Sequence, residues 1–86
     1  MTNAIVEGYV DGLKEKFPSC SLTQAKVGDE IIVSVKWERG EEWFEMPVLF
    51  SSNISVEQFN AGRTDLDEWE EEISTRLRND GCLPTK

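Results

Sequence analysis

Between positions 3 and 17, Ile5, Val6, Tyr9, Val10, Leu13 and Phe17 recur every three to four residues, with Glu7, Asp11, Lys14 and Glu15 on the other side. This is the period of a helix with one apolar stripe, and it predicts a helix over 3–17. Thr2 or Asn3 supplies the N-cap, and Pro18 bars Phe17 from helical geometry and ends the segment. Gly8 and Gly12 each weaken that helix by roughly 1 kcal/mol relative to alanine. They leave a smooth strip one turn apart, suited to close packing or to a partner groove.

The middle of the chain alternates with period two and predicts three strands. Gly28 and Asp29, between Val27 and Glu30, form a two-residue hairpin signal that pairs Ile32 with Ala25 and Val35 with Leu22. A second turn is expected at Glu38-Arg39-Gly40-Glu41. With Arg39 and Gly40 central, Val35 faces Phe44, Val33 faces Met46 and Ile31 faces Val48. Ile31, Val33, Val35 and Trp37 then share one apolar face with Phe44, Met46, Val48 and Phe50. Pro47 has no N–H for a ladder and assigns the third strand to the sheet edge, so the expected order is 1-2-3.

Ser55-Val56-Glu57-Gln58 reads as a capping box opening a short helix that ends near Gly62. Thr64 or Asp65 opens the last helix, with Leu66, Trp69, Ile73 and Leu77 as its stripe and Gly81 as its stop. The expected fold is therefore α+β, a two-layer α-β-β-β-α arrangement with both main helices on the apolar face of a three-stranded antiparallel sheet. A single domain over 1–80 is followed by a flexible tail over 81–86. This order resembles the double-stranded-RNA-binding domain across most of the chain, and the resemblance implies topology alone. That family grips phosphates with a lysine-rich patch at the start of its last helix. Here that position holds Thr64-Asp65-Leu66-Asp67-Glu68-Trp69-Glu70-Glu71-Glu72, which implies no direct nucleic-acid binding.

Charge sharpens the picture. Across 86 residues, 17 Asp and Glu stand against 9 Lys and Arg, a formal net charge of −8, with no histidine. The length suffices for one core. The acidity disfavours any partner recognised through phosphates. Without histidine, Cys20 and Cys82 lack the usual activating base, and no nucleophile elbow, phosphate loop or dinucleotide fingerprint occurs. The expectation is a non-enzyme that uses no cofactor and no metal. Acidic residues at Glu7 and Asp11 come too early for a signal peptide, and no apolar run is long enough for a membrane span. A cytoplasmic protein with no membrane role is expected. Cys20 then reads as a small buried hydrophobe rather than half of a bridge, and Cys82 as part of the tail.

Two clusters remain as candidate chemistry. Asp67, Glu68, Glu70, Glu71 and Glu72 crowd the start of the last helix, where acids suit the helix dipole and Glu72 can pair with Arg76. Like-charged pairs four apart, such as Glu68 with Glu72, exceed what helix stability requires. Glu41, Glu42 and Glu45 flank the second turn, with Trp43 among them facing outward beside Ala25, Ile32, Pro47 and Leu49, and Lys36 opposite it. One-signed charge speeds association with a basic partner, and rows of carboxylates imitate duplex phosphates. In size and charge the chain is similar to small acidic phage-encoded inhibitors of the anti-CRISPR and anti-restriction type. The resulting expectation is a phage- or mobile-element-encoded inhibitor occluding the basic nucleic-acid-binding surface of a target protein. Trp43 would be its anchor, and both acidic clusters would merge into one surface. The alternative is an assembly adaptor that dimerises through the sheet face or the third strand's edge.

Overall fold

The computed structural model describes residues 3–82. Its elements run α1 (Ala4–Lys16), β1 (Ser21–Val27), β2 (Glu30–Arg39), β3 (Glu42–Ser51), α2 (Val56–Ala61) and α3 (Arg63–Asn79). The sheet is antiparallel in order β1-β2-β3. The fold is α+β, as the periodicities predict.

α1 starts where Asn3 accepts a hydrogen bond from the Ile5 N–H through Oδ1 at 2.9 Å. The Asn3 amide also donates to the Ser52 and Ile54 carbonyls, at 3.2 and 3.0 Å, so one side chain both caps the helix and joins it to the strand exit. Val6, Val10, Leu13 and Phe17 are buried against Ile31, Val33, Val35 and Trp37 of β2. Leu66, Ile73 and Leu77 of α3 enter the same core. Both helices therefore cover the face of the odd-numbered β2 residues, and among the described residues the even-numbered face carries no layer. Tyr9 and Lys16 both reach Glu70, and Ser19 reaches Cys82, so α1 and α3 run side by side in the same direction.

The first hairpin follows the expected pairing, with Ala25 opposite Ile32 and Leu22 opposite Val35. The second is displaced by two residues: Val35 faces Met46, Val33 faces Val48 and Ile31 faces Phe50. The cause is the turn. Gly40 takes φ +64, a left-handed value that Arg39 would adopt only with strain, so Gly40 and Glu41 form the bend instead of Arg39 and Gly40. A displacement of two keeps every side chain on its expected face.

Ser55 makes the predicted capping box with Gln58. Gly62 then ends α2 and begins α3, which opens at Arg63, earlier than expected and without a side-chain cap. At the far end Gly81, at φ +79, allows Cys82 N–H to reach the Leu77 carbonyl at 2.8 Å and Gly81 N–H to reach Arg78 at 3.2 Å. This is a Schellman stop. Gly81 thus closes α3, as the sequence predicts, and Cys82 packs on the core. Positions 83–86 of the expected tail lie outside the described residues. Among the described residues no helix is long and apolar enough to cross a membrane.

Candidate functional site

The acidic run of α3 divides by helical phase. Leu66, Glu70, Ile73 and Leu77 lie on the buried side, at spacings of four, three and four. Glu70 is therefore no surface contact: it is 4% exposed, and its carboxylate accepts from Tyr9 Oη at 3.0 Å and Lys16 Nζ at 3.1 Å and forms an ion pair with Arg63 Nη2 at 3.2 Å. A buried carboxylate persists only when paired in this way. Burial first, then the Glu70 charge and hydrogen bond, push the Tyr9 phenol well above its ordinary range, so it stays a donor. The Arg63 guanidinium also lies 5.6 Å from the Tyr9 ring centroid. The phase of Glu70 between Leu66 and Ile73 was a readable signal of this role, whereas its cationic partners on α1 and at the α2–α3 junction were not.

A groove of about 480 Å³ runs beside this knot, bordered by Gly8, Gly12, Tyr9, Phe59, Lys16 and Arg63. Neither Gly8 nor Gly12 has a neighbour within 4 Å of where a Cβ would stand, so neither glycine serves close packing within the chain.

The other α3 acids remain outside. Asp67 pairs with Arg63 at 3.0 Å and Glu72 with Arg76 at 3.2 Å. Glu68, Glu71 and Glu72 border a shallow depression with Thr75 and Arg76. Towards the end of the helix the charge reverses, with Arg76 and Arg78 in the last turn.

Glu41 occupies the second turn, and Glu42 pairs with Arg39 in the ladder register. Trp43 faces outward at 64% exposure, opposite Glu38, and Glu45 stands opposite Lys36. Lys36 is thus set against Glu45 rather than Trp43, a direct result of the two-residue displacement. Ser21, Lys36, Trp43 and Glu45 border an open depression of about 360 Å³. Arg39 is engaged on the helix side, 3.2 Å from Asp80 and over the Phe44 ring. Glu38 and Glu45 therefore lie on the outer face with Trp43 and Lys36, whereas Glu42 lies on the helix face opposite Arg39.

The two clusters do not merge. Trp43 and Glu45 project from the face opposite α3, and Arg39 and Arg76 stand between the hairpin tip and Glu68, Glu71 and Glu72. The expectation of one continuous carboxylate surface is corrected to two separate acidic patches. Only the hairpin patch combines acids with an exposed aromatic ring. Among the described residues no three Cys, Asp or Glu side chains are placed to hold a metal ion.

Compared with known proteins, the chain matches no family model, no curated protein and no solved structure.

Proposed function

We propose that this chain is a non-catalytic acidic binding protein whose β2–β3 hairpin docks on a basic surface of a partner protein. The observation that carries the reading is Trp43: a large ring 64% exposed on the bare side of the sheet, with Glu38 opposite it, Glu45 two residues along the same face and Glu41 in the adjoining turn. An indole left in water on a small domain is a natural interface anchor. Surrounding carboxylates steer a cationic surface towards it and oppose nucleic acid. Glu68, Glu71 and Glu72 on the other face add long-range attraction without touching the same patch. A Lys- and Arg-lined nucleic-acid groove has the complementary chemistry, so the mechanism is occlusion of such a groove, in the manner of a phage-encoded inhibitor.

The test is affinity capture from source-cell lysate at low and high salt, using wild type, Trp43→Ala and a Glu41→Gln/Glu42→Gln/Glu45→Gln triple variant. A basic protein retained by wild type, lost with Trp43→Ala and held with a flatter salt dependence by the triple variant supports the reading. Retention unchanged by both variants refutes it.

One observation favours a second reading. At the opposite end of the same face Leu49 is 56% exposed beside Ile32 and Ala25, an apolar row suited to a second copy of the chain. Sedimentation distinguishes the two: a dimer that dissociates on Leu49→Glu supports the adaptor, and a monomer throughout supports the binder.

A further inference from the structure

Cys20 and Cys82 are 82 − 20 = 62 positions apart in sequence, yet the fold brings them to the same corner. Ser19 Oγ donates to the Cys82 carbonyl at 3.1 Å, tying the residue before Cys20 to Cys82 itself. The ladder gives a second bearing. Ser21, which follows Cys20, pairs with Lys36 at the end of the ladder, and two residues further along β2 the Glu38 carbonyl oxygen lies 3.9 Å from Cys82 Sγ. Both cysteines are half-buried against the one core, and both backbones are held: Cys20 N–H by Phe17 at 3.1 Å, Cys82 N–H by Leu77 at 2.8 Å.

We propose that Cys20 and Cys82 form a reversible intramolecular disulfide that locks the end of α3 onto the start of β1 when a small-molecule disulfide is present. Burial pushes the Cys20 thiol up and makes it a poor first nucleophile. The Cys82 thiolate displaces one thiolate from oxidised glutathione and becomes a mixed disulfide. The Cys20 thiolate then attacks the Cys82 sulfur, the Cys20–Cys82 bond forms, and the second glutathione thiolate leaves. The two protein thiols are oxidised, and their protons end on two reduced glutathione molecules. In a reducing pool the pair stays open.

The full-length chain is incubated natively with oxidised glutathione, quenched with an alkylating agent and weighed intact. The expected product is a monomer lighter than the reduced chain by two hydrogens, with no alkylated thiol. It should melt about 10 °C or more above the reduced form, because a bridge across so long a loop strongly restricts the unfolded chain. Dithiothreitol should reverse both changes, and Cys20→Ser should stop at a glutathione adduct on Cys82. Native wild type that yields only glutathione adducts or intermolecular dimers, or a bridged chain that melts no higher than the reduced one, overturns the proposal.

Discussion

Tyr9 and Glu70 meet across the seam between α1 and α3, with the phenol hydroxyl donating to Oε2 at 3.0 Å and Lys16 and Arg63 closing on the same carboxylate. This contact fixes how the helices lie side by side on the sheet. It also takes one acid of the run Glu70-Glu71-Glu72 out of the surface.

Removing the Glu70 carboxylate leaves Tyr9 and Lys16 without their shared acceptor and Arg63 without its counter-charge. Glu70→Ala is expected to cost about 2–4 kcal/mol in urea denaturation, below the full penalty of a buried pair because Lys16 and Arg63 are half-exposed and can reach water. Glu68→Ala, on the open side of the same helix, should stay within about 0.5 kcal/mol of wild type. Equal effects at the two positions would contradict the division of the acidic run.

Alkaline pH provides a separate readout of Tyr9. Its phenol is raised from an ordinary value of 10.0, so above that pH the unfolded chain gives up a proton that the folded chain retains. The stabilisation is fully present below pH 10.0 and is lost as pH rises further. Tyr9→Phe should therefore be less stable near neutrality but show a shallower decline above about pH 10, read from urea midpoints across the alkaline range.

The glycines divide by conformation. Gly8 and Gly12 lie within α1 with open space at their missing Cβ atoms, so Gly8→Ala and Gly12→Ala should each stabilise by ~0.5–1 kcal/mol. Gly40 holds the second hairpin turn at φ +64, and Gly40→Ala should destabilise by ~1–2 kcal/mol. Thermal melts of the three variants would show the opposite signs.

Two tryptophans are in opposite hydrogen-bonding situations. Trp37 is buried, stacks on Phe44 and donates to Asp80 Oδ2 at 2.7 Å. The Trp69 Nε1 is buried with no hydrogen-bond partner among the described residues. Trp37→Phe gives up a hydrogen bond to a charged group, worth about 1.5–3 kcal/mol, whereas Trp69→Phe removes a donor that has no acceptor. Trp37→Phe should therefore be the costlier change by at least ~1.5 kcal/mol in chemical denaturation.

Strand identity, sheet order and facial assignment were legible because a two-residue period is robust to an even displacement: Val35 lies on the core face whether it meets Phe44 or Met46. The displacement itself came from one backbone angle. Arg39 and Gly40 look like equally short turns in sequence until the left-handed geometry at Gly40 is weighed. Glu70 was misplaced because its charge was given more weight than its phase between Leu66 and Ile73. The separation of the acidic patches was also readable: helices cover the odd face of β2, so outward-facing Trp43 and Glu45 had to lie opposite α3. The cationic partners of Glu70 were beyond reach, since nothing in the spacing of Lys16 and Arg63 says that α1 and α3 lie side by side.

The bare face of the sheet separates the proposed recognition from folding. Ile32, Lys36, Trp43, Glu45, Pro47 and Leu49 point away from the core, while their immediate neighbours Ile31, Val33, Val35, Trp37, Phe44, Met46, Val48 and Phe50 point into it or pack against it. Alternate positions along the same two strands are therefore under independent constraint. A library randomised at the outward six would keep its scaffold, so under the proposed binding role the hairpin is free to change its target without being rebuilt.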